Sequence, residues 1–136
     1  MSNATDAVLA HARTLYLAGH HCSEATVIAV GDHLMGKTPE VLIRASNPFG
    51  GGLGGCRQEL CGVLAGAALI LGATRGRLEP TEDDKAFYEL VCRYRERFIE
   101  EFGSAQCEAV RNTMPEKDKR CGPVVERGVR LLLEML

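Results

Sequence analysis

No block of like charge interrupts the 136-residue chain: its 16 Lys and Arg and 18 Asp and Glu are interspersed and leave a formal net charge of −2. Neither nucleic acid nor an anionic membrane finds the basic footprint it would need. No apolar run reaches the roughly 20 residues that span a bilayer. The most apolar segment, Leu60 to Thr74, is uncharged but too short, and suits a buried central helix. The start of the chain lacks the apolar core of a secretory signal, because Asp6, His11 and Arg13 break it up, so the expected location is the cytoplasm. No alternating run bounded by turns favours a strand over a helix. There is also no C-x-x-C pair and no internal repeat.

What is present is 46% hydrophobic and 25% charged, enough for one core in a chain too short for two ordinary domains. The expectation is one all-α domain over residues 1–136, a bundle of about five or six helices around a buried small-residue helix. Val8, Ala12 and Leu15 place a first helix over 4–18, stopped by Gly19. Ser23 can cap a second helix carrying Val27, Ile28, Val30 and Leu34 and ending near Gly36, and 39–45 can add a short segment. The apolar helix spans 58–74, where Gly62, Ala65, Gly66 and Ala68 permit close approach of a neighbouring backbone. Thr81, followed by Glu82, Asp83 and Asp84, opens a helix whose stripe runs Phe87, Leu90, Val91, Tyr94, Phe98 and Phe102 up to Gly103. Ser104 can cap a short helix, 115–120 reads as a charged loop, and Pro123 suits the first turn of a last helix.

Six cysteines are many for such a chain. In a reducing compartment they point to metal ligation or thiol redox rather than structural disulfides. A glycine loop, Gly50-Gly51-Gly52-Leu53-Gly54-Gly55-Cys56, leads into the apolar helix and its Cys61. Cys22 precedes the Ser23 cap, Cys61 falls in or just after the first turn of the apolar helix, Cys107 follows Ser104 by three residues, and Cys121 precedes Gly122-Pro123. All four lie at predicted helix starts, where unpaired N–H groups and the dipole favour a thiolate. Cys92, beside Val91 at the flank of the long stripe, reads as a small packed hydrophobe. Cys56 is a partner for Cys61, an extra ligand or a bystander.

Cys22, the segment Cys61-Gly62-Val63-Leu64-Ala65-Gly66, Cys107 and Cys121 resemble, in spacing and context, the C_GCAxxG_C_C family of redox-active proteins. These are small single-domain chains marked by four cysteines and a CGAxxG segment. Phe49-Gly50-Gly51-Gly52 and Leu71-Gly72 are similar to the family's flanking residues, while Val63 stands where the family has alanine, and Cys56 and Cys92 are additional. The resemblance implies redox or metal chemistry and names no substrate.

Thiolates at Cys22, Cys61, Cys107 and Cys121 suit an iron–sulfur cluster, or zinc in its place, serving electron transfer or redox sensing. The alternative is thiol–disulfide or persulfide chemistry, with Cys61 as nucleophile and Cys56, Cys107 or Cys121 resolving it. A helical interaction module with cysteines as core filler is a third. Gly50, Gly51 and Gly52 are expected to bring the loop against a cofactor and the other thiols. The redox partner is unidentified, and the small-residue helix and aromatic stripe leave room for a homodimer. His20 and His21 can supply a ligand or a base, Arg57 can lower a neighbouring thiol pKa, and Glu59 reads as a helix-start acid. The stretch from Gly31 to Thr38 matches a P-loop letter for letter, and the glycine loop fits G-x-G-x-x-G. Neither has the strand its motif requires, which makes both chance matches.

Overall fold

Apolar residues at helical spacing make stripes that must meet, and a segment apolar all round belongs at their centre. The computed structural model describes residues 3–115 and 121–136. Along them run α1 (Asn3–Leu17), α2 (Cys22–Met35), α3 (Glu40–Ser46), a 3-10 turn (Asn47–Phe49), α4 (Gly62–Arg75), α5 (Lys85–Phe102), α6 (Cys107–Arg111) and α7 (Gly122–Glu134). The fold is all-α, with seven helices among the described residues because both short segments, α3 and α6, close into helical turns. Leu60 and Gln106 form an isolated antiparallel bridge. No described helix is long and apolar enough to cross a membrane.

At the centre α2 lies against α4, and α2 is buried at Cys22, Ser23 and from Ala25 to Gly31. The small residues of α4 permit this approach: a Cβ on Gly66 would lie 2.8 Å from the Ser23 carbonyl oxygen and 3.1 Å from Thr26 Cβ. The polar side chains caught in the contact are satisfied, Ser23 Oγ donating to the Ser46 carbonyl at 2.7 Å and Thr26 Oγ1 to the Cys22 carbonyl at 2.8 Å. On this pair α1 packs across α2 and α7, and α5 lies on α4 and α7. The stripe of α5 buries Leu90, Tyr94, Phe98 and Phe102. Tyr94 also donates its hydroxyl to the Gly128 carbonyl at 2.8 Å. Tyr94→Phe should lower stability by about 1 kcal/mol, the net worth of one buried hydrogen bond. The check is a reduced urea midpoint at unchanged slope.

Four helix starts differ from expectation, each because a nearby group claims the backbone first. In α2 the N-cap is His21, whose N–H is received by Glu24 Oε1 at 2.9 Å, while Ser23 turns inward. The start of α4 is Gly62 rather than residue 58. Residues 57–61 instead run beside 105–108, with Cys61 N–H donating to Ala105 O (2.8 Å), Cys107 N–H to Glu59 O (2.8 Å) and Glu108 N–H to Arg57 O (3.0 Å). Backbone groups paired this way are withdrawn from a helix ladder. In front of α5 the Glu82 carboxylate accepts from the Leu78 and Glu79 amides at 2.7 and 3.1 Å, which delays the helix from Thr81 to Lys85. In α6 the cap is Gln106, accepting from Ala109 N–H at 2.8 Å, rather than Ser104. Beyond Pro115, the charged loop expected over 115–120 lies outside the described residues.

Candidate functional site

The glycine loop is a left-handed coil. Gly51, Gly52, Leu53, Gly54 and Gly55 have φ of 61, 68, 72, 60 and 77°, a region open to glycine and costly for other residues. The coil closes on itself through Gly54 N–H to Pro48 O (2.6 Å), Gly55 N–H to Gly50 O (3.0 Å) and Arg57 N–H to Gly51 O (2.8 Å). It is pressed against two helix starts: a Cβ on Gly50 would lie 2.7 Å from His21 Cβ, and one on Gly52 2.5 Å from Cys107 Cβ. The amide of Gly51 acts on the Cys22 sulfur. Gly50 and Gly52 therefore set the loop against the starts of α2 and α6.

Four thiols converge beside this coil, each from a helix start. Cys22 is the first residue of α2, Cys61 the N-cap of α4, Cys107 the first residue of α6 and Cys121 the N-cap of α7. The starts of α2 and α4 interlock: a Cβ on Gly62 would overlap Cys22 Sγ and meet Phe49 O at 3.0 Å. Charge on one sulfur is felt by the next, Cys121 acting on Cys22 and Cys107, and Cys22 on Cys61 and Cys107. All six cysteines are free.

Burial dominates the chemistry of Cys22, Cys61 and Cys107. It raises the Cys22 thiol, pushes Cys61 up to about 12 and Cys107 up to about 11, with neighbouring thiols adding to each rise. The amides of Val63 and Leu64 oppose it at Cys61, and Arg111 opposes it at Cys107. A helix start favours a thiolate by ~0.3–1 kcal/mol, whereas a single pKa unit already amounts to ~1.4 kcal/mol. Cys61 is 5% exposed. Against the expectation of an activated, low-pKa nucleophile, burial and then the Cys22 sulfur raise the Cys61 thiol in this enclosed position.

Cys121 differs in being half-buried. Arg111 Nη1 donates to its sulfur at 3.5 Å. Tyr16 also interacts with Cys121, its ring 3.9 Å from where a Cβ on Gly122 would be. Burial first, and then Cys121 and Cys22, push the Tyr16 hydroxyl up to about 12, which keeps it a neutral donor. Cys22, Cys121, Arg111, Tyr16, Gly51 and the His20–His21 pair line a cavity of about 260 Å³. The sequence by itself gives Arg111 no role. The signal that points to it is spacing, since it follows Cys107 by four residues on α6 and a helix puts such pairs on one face.

The remaining candidates stand apart. Cys56 is exposed, its thiol set on the Leu53 carbonyl at 2.7 Å. Cys92 is exposed on α5, which corrects its reading as a packed hydrophobe: the flank of the stripe beyond Val91 turns to solvent. Arg57 is exposed at a φ of 65°. Glu59 precedes α4 instead of opening it, and its carbonyl receives Cys107 N–H. The P-loop match lies largely within α2, and Thr38 Oγ1 is bound to Asp32 Oδ1 at 2.8 Å. Among the described residues no three His, Cys, Asp or Glu side chains are grouped to hold a metal ion.

A family model described as Putative redox-active protein (C_GCAxxG_C_C) matches residues 20–135. No curated protein and no solved structure matches the chain.

Proposed function

Because the chain belongs to the C_GCAxxG_C_C family of redox-active proteins, we propose that its four helix-start thiols work as one redox centre, reached by a partner through Cys121. The observation that carries this reading is that three of the clustered thiols are buried while Cys121 is half-open to a cavity it shares with Cys22. In the exchange, the Cys121 sulfur, flanked by Arg111 and Tyr16, attacks one sulfur of a partner disulfide. That S–S bond breaks, the departing sulfur takes the proton given up by Cys121, and a mixed disulfide remains. The Cys22 sulfur then attacks Cys121, passing its proton to the second departing thiol. The protein ends with a Cys22–Cys121 disulfide and the partner with a pair of thiols. Cys61 and Cys107, kept protonated by burial, are a second dithiol behind the first.

A second reading places an iron–sulfur cluster on the same sulfurs. Cys22, Cys61, Cys107 and Cys121 would hold it, and it would supply one-electron transfer. Their chemistry suits it, since four neighbouring thiolates would repel one another and cationic iron would offset that repulsion. Zinc would draw on the same four sulfurs, and the lack of three described donors grouped for a metal ion weighs against zinc and cluster alike.

Anaerobic purification, iron and sulfide analysis, and non-reducing peptide mapping after addition of dithiodiethanol separate the two. The exchange reading expects a Cys22–Cys121 disulfide and negligible iron. Near-stoichiometric iron and sulfide that fall away in Cys121→Ser would replace it with the cluster, and a protein with neither would sink both.

A further inference from the structure

The cavity beside Cys121 has a one-sided chemistry. Arg111, His20, His21 and Tyr16 contribute to its wall and, among the described residues, no carboxylate does. Glu108, which acts on Cys107 from α6, is not part of the lining. Arg111 reaches Cys121 through Nη1, while its Nε is buried with no acceptor among the described residues. Native proteins rarely leave such a donor unpaired, because a buried unmade hydrogen bond costs about 1–3 kcal/mol. The guanidinium also lines the cavity, and planar two-oxygen anions are the groups that match its donor geometry. A volume of about 260 Å³ admits a small molecule and excludes a folded partner's surface.

We propose that this cavity is the subsite for the carboxylate of a low-molecular-weight anionic thiol or disulfide, with Arg111 binding the anion and setting its sulfur toward Cys121. The assignment rests on the thiol-exchange reading, and it names the substrate class for the same balanced exchange: an anionic disulfide is reduced to its thiols as Cys22 and Cys121 are oxidised.

The test is competitive alkylation of the reduced full chain by iodoacetate and iodoacetamide, near-equal in size and different in charge, read cysteine by cysteine by peptide mass spectrometry. Exposed Cys92 is the internal reference. The ratio of acetate to amide rates at Cys121 should exceed that at Cys92 by about tenfold, as expected for a charge-assisted anion contact. It should collapse to the Cys92 ratio in Arg111→Gln and persist in part in Arg111→Lys. Equal ratios at Cys121 and Cys92, or a Cys121 ratio unchanged by Arg111→Gln, would overturn the assignment. Should Arg111→Gln fail to fold, the wild-type chain still decides: propionate must slow iodoacetamide at Cys121 and propionamide at the same concentration must not, and equal protection by the two refutes the subsite. Alkylation needs no disulfide, so anion selectivity without a Cys22–Cys121 disulfide sinks the exchange reading and leaves the anion site standing.

Discussion

Phe98→Ala is expected to destabilise the protein by about 3–5 kcal/mol, the range for emptying a fully buried aromatic position. Phe98 is 0% exposed, and its ring lies 6.2 Å from that of Tyr94 and 4.6 Å from that of Phe102. On its far side is the backbone of α7, where Phe98 Cε2 stands 3.6 Å from the Cβ position of Gly128. That glycine has no side chain to move into the void, because a Cβ there would overlap Val63. The cavity is walled by two helices and collapses little, which puts the cost toward the upper end. Small domains hold about 5–15 kcal/mol in all, so the variant should sit near the edge of folding at room temperature. Urea denaturation followed by circular dichroism measures it, and a loss under about 1 kcal/mol would mean that the α4–α5–α7 core repacks freely.

Gly62→Ala and Gly72→Ala, ten positions apart in one helix, are expected to change stability in opposite directions. The added methyl at residue 62 overlaps Cys22 Sγ and meets Phe49 O at 3.0 Å and Ser23 N at 3.3 Å. Two of these three obstacles are backbone, so α2 and α4 must part, at about 1–3 kcal/mol for an overpacked contact. At residue 72 nothing lies within 4 Å of the same methyl. There alanine keeps only its helix-propensity advantage of about 1 kcal/mol. Thermal unfolding of the pair checks the signs. Gly62→Ala should also unseat the Cys22 sulfur, seen as faster alkylation of Cys22 in the native state. A Gly62→Ala protein with wild-type stability and a protected Cys22 would show that the starts of α2 and α4 are not interlocked.

The all-α class was legible because helical spacing and its glycine stops are local signals, clearest in Phe87 to Phe102 and in the small residues of α4. Helix starts were less so. Capping competes among neighbours, and the winners at His21, Asp84 and Gln106 are decided by where Glu24, Glu82 and Ser104 find backbone partners. The late start of α4 had no local signal at all, since residues 57–61 are held by a segment more than forty positions away.

The four cysteines at Cys22, Cys61, Cys107 and Cys121 could be singled out from the chain alone, by their places at helix starts and the family's motif. Which of them faces the outside could not. A helix start stabilises a thiolate wherever it occurs, but desolvation and the charge of other sulfurs depend on distances across space. Packing encloses Cys61 behind the starts of α2 and α4 and raises its pKa, while it leaves Cys121 half-open between Tyr16 and Arg111. Residue order along one helix determined that thiols would stand at its end; the meeting of four helices decided which of them are enclosed and which is half-open.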